Sequence, residues 1–162
     1  MAAVTSRSRA VVTLPAPTQI LITREFAAPR HLVYRAWTSP ELIRQWWSAN
    51  RGEVTVVEVD LRVGGKWRFV MVTFGGFEVG FHGEYLEVVA NERLVNTEVY
   101  EGMPDGQAVN TITFEEEGGR TKFMCLVQHT SQEHRDAHIA SGMESGLQDA
   151  LDLLEQAAQS LA

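Results

Sequence analysis

Six segments with the composition of β-strands follow one another between residues 54 and 130, separated at short intervals by glycine pairs, a proline turn or a few polar residues. They read VTVVEVDL, KWRFVMVTF, EVGFHGEYLEVV, RLVNTEVYE, AVNTITFEE and RTKFMCLVQHT. A connection between parallel strands needs about a dozen residues or more, and the connections here are shorter than that. Neighbouring segments must therefore pair antiparallel, as a meander of hairpins in one long curved sheet.

The part of the chain that precedes this meander predicts one strand and two short helices. ILITREF, residues 20–26, is rich in β-branched and aromatic residues and predicts the first strand. Pro29 fits the first turn of a helix over RHLVYRAW. Ser39 as N-cap and Pro40 as first helical residue predict a second short helix over PELIRQWW. The sheet then has about seven strands, with two short helices after the first.

The last 30 residues change to a helical period. At about 100 degrees per residue, one set of apolar side chains falls within an arc of about 120 degrees. The set is Ile139, Met143, Leu147, Leu151, Leu154, Ala158 and Leu161. This pattern predicts one long amphipathic C-terminal helix that covers one face of the sheet, so the fold class is an α+β roll. A single helix cannot cover so wide a concave face, so large side chains or a cavity must occupy the rest.

Length and composition limit the domain organisation. A chain of 162 residues is most simply one domain. We assign residues 20–162 to that domain and residues 1–19 to a loosely ordered N-terminal tail. The alternative for the tail is a signal peptide, but Pro15 and Pro17 interrupt its short apolar stretch.

Charge and cysteine content limit the partners and the cellular location. The net charge of −7, without a cluster of Lys and Arg, argues against nucleic acid or an anionic membrane surface as partner. No apolar run approaches the roughly 20 residues that a membrane span needs. Cys125 is the single cysteine, which excludes an internal disulfide and agrees with a reducing compartment. We therefore expect a cytoplasmic protein, and we leave a homodimer open.

Strand parity predicts which side chains would line a cavity on the concave face. The candidates from the sheet and the C-terminal helix are Trp67, Phe69, Met71, Phe81, Ile112, Phe114, Met143 and Leu147. The alternative for each is ordinary core packing.

Trp46 and Trp47 are adjacent on a short helix, so their rings point about 100 degrees apart. Trp46 continues a stripe from Leu42, and Trp47 continues one from Ile43. We expect Trp46 to be anchored in the core and Trp47 to form part of the cavity rim. The alternative is that both rings pack in the core.

The histidines and their neighbours supply the candidate acid–base groups. His129 shares parity with Phe123, Cys125 and Val127 and is expected to face inward. His82 and Glu84 lie opposite the apolar residues Val79 and Phe81 unless a bulge at Gly83 changes the phase. The alternative for His129 and His82 is a structural, hydrogen-bonded histidine.

The spacing of His134 and His138, four residues apart, is compatible with a shared metal ion. On the helical wheel, however, both residues fall opposite the apolar arc, so we expect them at the solvated surface. His31 carries no functional signal. No metal site and no cofactor are predicted, because the sequence has no paired-cysteine site, phosphate loop or dinucleotide fingerprint.

Several stretches together resemble one known family. They are REFAAPRHLVYRAWTSPELIRQWW, DLRVGGKWRF, GEYLEVVANERLV, ITFEEEGGRTKF and SGMESGLQDALDLLEQ, and they cover about residues 20–158. They resemble, in order, the motifs of the family named for the activator of the heat-shock-protein ATPase, within the START-like (SRPBCC) helix-grip superfamily. That resemblance implies a helix-grip roll. It also implies a broad range of functions: carriers of hydrophobic ligands, polyketide aromatases and cyclases, and members without an assigned activity.

The sequence departs from this family in two respects. Eukaryotic chaperone activators carry an additional N-terminal domain, and only a short tail precedes the first strand here, so we expect no chaperone partner. The family often has Trp after the glycine of its C-terminal helix, and this chain has Met143 after Gly142. A flexible thioether at this position leaves more room for a cavity than a rigid ring.

Three functions remain in competition at this point. The first is binding of an apolar or aromatic small molecule between the C-terminal helix and the sheet. The second is an enzyme of the cyclase or aromatase kind that uses an inward His or Glu as acid or base. The third is an interaction module that activates a chaperone ATPase.

Overall fold

The computed structural model describes residues 8–162. Its strands are β1 (Val11–Thr13), β2 (Gln19–Phe26), β3 (Gly52–Val59), β4 (Lys66–Thr73), β5 (Glu78–Val89), β6 (Arg93–Tyr100), β7 (Gln107–Glu117) and β8 (Arg120–Gln128). Its helices are α1 (Arg30–Thr38), α2 (Pro40–Trp46), α3 (Gln132–Ala140) and α4 (Met143–Gln159). The strands form one curved, open, antiparallel sheet in the order β1-β2-β8-β7-β6-β5-β4-β3. The expected α+β helix-grip roll is confirmed.

The eighth strand, β1, lies in the segment that the sequence predicted to be a loose tail. Val12 of β1 pairs with Ile22 of β2. Ala10 is buried, and its backbone N–H and C=O both bond to the Gln148 side chain of α4, at 3.0 and 2.7 Å. The ordered domain therefore begins before residue 20, where the sequence predicted its start. The three residues of β1 form a strand because β2 offers them a free sheet edge. The rest of the expected tail, residues 1–7, lies outside the described residues.

The C-terminal region contains two helices where the apolar arc predicted one. Gly142 has a φ of 81°, in the left-handed region, and it separates α3 from α4. The Ser131 side chain accepts a hydrogen bond from the His134 N–H and caps α3. Ile139 therefore belongs to a different helix from Met143, and its side chain is exposed.

The core fills one half of the concave face. Leu151, Leu154 and Ala158 of α4 are buried there against α1 and the sheet. The ring of Phe123 meets Phe26 at 5.7 Å and Phe114 at 5.8 Å between centroids, both edge to face. Large side chains thus occupy the half of the roll that the C-terminal part of α4 covers.

A buried arginine connects β2 to the same half of α4. The Arg24 side chain is fully buried, and its Nη1 lies 2.8 Å from Asp152 Oδ1. Its Nη2 lies 3.6 Å from Glu155 Oε1, and Glu155 Oε2 accepts a hydrogen bond from the Ala27 N–H at 2.9 Å. The guanidinium also stacks over Phe26, 5.0 Å from the ring centroid. This cluster holds α4 in place across the end of the sheet.

Within residues 8–162, none of the helices has the length and apolar character that crossing a membrane would require.

Candidate functional site

The other half of the concave face forms a partly open cavity of about 630 Å³. Its walls come from the inner face of strands β4 to β8, from the N-terminal half of α4, and from α3 and the end of α2. Of the predicted lining residues, the structure brings eight together here: Trp47, Trp67, Phe69, Met71, Phe81, Ile112, Met143 and Leu147. Phe114 does not line the cavity. Its parity is as expected, but it lies further along β7, within the filled half of the core.

Aromatic rings form a continuous wall on the β4–β6 side. Trp47 meets Phe69 at 5.6 Å and Phe81 at 5.9 Å between centroids, both edge to face. Trp67 lies 4.9 Å from Phe69, and Tyr100 lies 5.1 Å from Phe81. These contacts fix the rings relative to each other, so the wall is largely preformed.

The two adjacent tryptophans have different surroundings. Trp46 is 5% exposed, its Nε1–H donates to the Ala36 carbonyl at 2.9 Å, and its ring stacks on Trp37 at 4.9 Å. Trp47 is half-buried, and its ring faces the aromatic wall. After Trp47 the chain turns sharply through Ala49 and Asn50, which have φ values of 51° and 60°. The structure thus places Trp46 at an anchored position and Trp47 along the cavity.

A polar group interrupts the apolar lining on the inner face of β6 and β7. Asn96 and Glu98 of β6 and Asn110 of β7 all line the cavity, and Asn96 pairs with Asn110 across the strands. Burial raises the pKa of Glu98, and the neighbouring Asn110 side chain partly opposes this effect. Asn110 Oδ1 is buried without a hydrogen-bond partner.

Sequence reasoning missed this group. Leu94, Asn96 and Glu98 alternate in RLVNTEVY, and Leu94 is a core residue. Strand parity from Leu94 would have placed both polar residues on the inner face.

Three histidines lie at another part of the cavity wall. His129, His134 and His138 all line it, and His129 Nε2 lies 3.0 Å from His138 Nδ1. His129 Nδ1 is buried without a partner. Burial lowers the pKa of His129, and burial together with the neighbouring His129 lowers the pKa of His138 to about 4. Two neutral imidazoles can form one N–H···N hydrogen bond, in which one ring donates and the other accepts. Two imidazolium ions would repel each other.

The expected surface positions of His134 and His138 are wrong. The helical wheel treated them as part of one helix with α4. Because Gly142 separates α3 from α4, the apolar arc of α4 does not predict which face of α3 lies toward the cavity.

His82 and Glu84 lie outside the cavity, on the outer face of the sheet. The register between β4 and β5 runs without a shift through Gly83, so the bulge that would turn these side chains inward is absent there. His82 Nδ1 lies 2.9 Å from Glu101 Oε2, and Arg68 contacts the same carboxylate through two nitrogens at 2.9 Å. Hydrogen bonds from Arg68 and then His82 lower the pKa of Glu101 to about 2. Of the three candidate acid–base residues, only His129 faces the cavity.

Cys125 also lines the cavity, but its thiol is a poor nucleophile. Burial, with a smaller contribution from the charge of Glu98, raises the pKa of Cys125 to about 12. Among residues 8–162, no group of three or more His, Cys, Asp or Glu side chains is arranged to hold a metal ion.

We expect the free energy of unfolding to decrease as the pH falls from about 6.5 towards about 4, in part because of His138. Above pH 6.5 this imidazole is neutral in both states, whereas between these values the unfolded chain takes up a proton that the folded chain does not. The effect is at most about 3 kcal/mol, and remaining exposure of the ring reduces it. Urea unfolding across this pH range measures it.

Carboxylates also titrate in this range, so the comparison with His138→Gln isolates the histidine. The stability of this variant should fall less steeply with decreasing pH than that of the wild type. His31→Gln, at an exposed position on α1, should keep the wild-type slope. Parallel curves for the wild type and His138→Gln would contradict the prediction.

An open antiparallel sheet curved around a C-terminal helix, with a cavity between them, defines a protein of the helix-grip, START-like class. The sequence profile of the family described as "Activator of Hsp90 ATPase homolog 1-like protein" matches residues 27–159, and the chain belongs to this family. The family that the sequence motifs suggested is thereby confirmed.

Solved structures of bacterial proteins share the fold over most of their length. A protein of Rhodobacter sphaeroides is 26% identical, with 90% of this chain and 95% of that chain covered and a TM-score of 0.84. A protein of Nitrosomonas europaea is also 26% identical, with 91% and 98% covered and a TM-score of 0.82. An AHSA1-like protein of Aeromonas hydrophila, 24% identical, has a TM-score of 0.65 over 87% and 93% of the two chains. Comparison with the curated proteins gave no match.

Proposed function

We propose that this protein binds an apolar or aromatic small molecule in the cavity between α4 and the inner face of the sheet. The observation that carries the proposal is a volume of about 630 Å³ whose walls are mainly aromatic and aliphatic side chains. Small-molecule sites are commonly concave and apolar, with volumes of about 300–1,000 Å³ and a few polar groups that orient the ligand.

The side chains of α4 explain why this half of the roll stays open. The helix presents Met143, Gly146, Leu147 and Ala150 to the cavity, and Leu151, Leu154 and Ala158 to the filled half. A Cβ added at Gly146 would meet no atom within 4 Å. The helix therefore leaves space above the sheet that its own side chains do not fill.

Native mass spectrometry of the purified protein, followed by identification of any molecule released on unfolding, tests this proposal. We expect an apolar or aromatic compound of a size that fits the cavity. Nile red, a neutral dye whose emission rises in apolar surroundings, provides the affinity assay: it should bind with one-to-one stoichiometry, and a compound that occupies the cavity should displace it. Failure of Nile red to bind the folded protein would contradict the proposal.

The tryptophan pair gives a first mutational prediction. Trp46→Phe removes the hydrogen bond to Ala36 and part of the stacking on Trp37, so it should lower the free energy of unfolding by about 1–3 kcal/mol. Its affinity for Nile red should stay within about threefold of wild type. Trp47→Phe should mainly weaken Nile red binding, because this ring forms part of the cavity wall. The rim role of Trp47 is wrong if Trp47→Phe destabilises as much as Trp46→Phe and leaves the affinity unchanged.

A second candidate function is acid–base catalysis on the bound molecule, of the cyclase or aromatase kind. The observation that favours it is that His129, His138 and Glu98 reach the cavity with pKa values altered by burial. Incubation with the co-purifying molecule separates the two functions. Recovery of the molecule unchanged supports binding, whereas a chemical change that His129→Gln slows about a hundredfold supports catalysis.

The name of the family refers to activation of a chaperone ATPase, but the cavity favours a small molecule as the partner of this chain. We further propose a cytoplasmic location, since the buried free thiol of Cys125 agrees with a reducing compartment.

A further inference from the structure

We propose that the ligand is an organic ammonium ion with an apolar or aromatic body, and that Glu98 is its counter-ion within the cavity. This inference rests on the proposed function, since it names the class of molecule that the same cavity takes.

Glu98 reaches the cavity from β6. Its side chain lies on the inner face of β6, opposite Ala108 of β7, and it lines the cavity. The small Ala108 side chain leaves the carboxyl group accessible from the cavity. A carboxylate among apolar walls is costly unless a cation or several hydrogen-bond donors compensate its charge.

Among the described residues of the cavity wall, the one permanently charged cation is already engaged elsewhere. Among the described residues that line the cavity, Arg51 is the one Arg or Lys, and its guanidinium bonds Asp149 Oδ2 at 3.0 Å, Ser145 Oγ at 3.2 Å and the Ala49 carbonyl at 3.0 Å. The imidazoles of His129 and His138 are held in their neutral forms by burial. A bound cation can therefore supply the positive charge that compensates the Glu98 carboxylate.

The hydrogen-bonding capacity beside Glu98 fits an ammonium group better than a neutral or anionic head. Asn110 lies diagonally beside Glu98 on the inner face of the two strands, and its Oδ1 is a buried acceptor without a partner. An ammonium group has three N–H donors, so it can serve both the carboxylate and this amide oxygen. A hydroxyl has one donor, and a carboxylate ligand has none. Burial favours the neutral form of Glu98, and a bound ammonium ion favours the ionised form, whereas a carboxylate ligand does not.

The remaining walls suit the apolar part of such a ligand and its positive charge. Trp47, Trp67, Phe69, Phe81 and Tyr100 line the same cavity. Faces of aromatic rings attract ammonium ions, most strongly where water is excluded. One carboxylate in a cavity with an aromatic wall is thus a site for a cation with a hydrophobic body.

Isothermal titration calorimetry at pH 7 with three probes of matched shape tests the inference: phenylpropylamine, phenylpropanol and phenylpropanoate. We expect the amine to bind the wild-type protein at least about tenfold more tightly than the alcohol, and the carboxylate to bind most weakly. Glu98→Gln keeps the size of the side chain and removes its charge. It should abolish the preference for the amine and leave the affinity for the alcohol within about threefold.

Glu84→Gln is the matched control, because Glu84 lies on the outer face of the same sheet and should leave the preference unchanged. Circular dichroism verifies folding, and the wild-type comparison of amine with alcohol does not depend on any variant. Equal or tighter binding of the alcohol would overturn the inference and leave the proposed function standing. A preference for the amine that survives in Glu98→Gln would overturn the role of Glu98. Failure of Nile red to bind would instead overturn the proposed function.

Discussion

Gly146→Phe should weaken Nile red binding by at least about a hundredfold while the protein stays folded, because the new ring enters the space that the ligand needs. Gly146 faces the cavity from α4, and an added Cβ there meets no atom within 4 Å. The larger side chain therefore has room that is otherwise unoccupied, and the fold need not be disturbed. Fluorescence titration measures the affinity, and thermal unfolding verifies the fold.

Gly146→Ala is the matched control for this substitution. Alanine in the interior of a helix is more favourable than glycine by about 0.5–1 kcal/mol, so this variant should be more stable than the wild type. Its single methyl group should leave the affinity within about threefold. If a folded Gly146→Phe protein binds Nile red with wild-type affinity, the dye binds outside the cavity and the prediction is wrong.

Arg24→Met should lower the free energy of unfolding by about 3–5 kcal/mol, because it removes the buried guanidinium that faces the buried Glu155 carboxylate. The methionine side chain has a similar length and remains apolar, so packing against Phe26 changes less than the charge does. Urea or guanidinium unfolding, followed by circular dichroism, measures the loss.

Two further variants test whether the charge is the cause. Asp152→Asn should cost about 1 kcal/mol or less, because Asp152 is 55% exposed and Glu155 still faces Arg24. The double variant Arg24→Met with Glu155→Met removes both buried charges of this pair, so it should be more stable than Arg24→Met alone. The explanation is wrong if Arg24→Met is within about 1 kcal/mol of wild type, or if the double variant is the less stable of the two.

The meander from β3 to β8 and the shared face of several cavity residues were predictable from sequence, because both follow from local rules. Short connections impose antiparallel neighbours, and period-two parity placed Trp67, Phe69 and Phe81 on one face. Parity could not show how far along the roll each residue lies. Phe114 has the right face, yet it packs on Phe123 in the filled half of the core.

The remaining differences have specific physical causes. The strand Val11–Thr13 is too short for a pattern, and it forms because β2 offers a free edge. The separation of α3 from α4 depends on the left-handed conformation of Gly142, which a helical wheel does not detect. The pairing of His129 with His138 depends on that separation, because it results from how α3 lies against the end of β8.

The methyl groups of methionine allow the site of binding to be read from the folded protein in solution. Met71, Met103 and Met143 line the cavity. Met124 alternates on β8 with the buried residues Phe123 and Cys125, so its side chain lies on the outer face of the sheet. NMR spectra of protein carrying ¹³C-methyl methionine, titrated with phenylpropanol at concentrations that displace Nile red, therefore locate the bound molecule. We predict shifts for Met71, Met103 and Met143 and an unchanged Met124 signal; a shift confined to Met124, or no methyl shift at saturation, would contradict binding in the cavity.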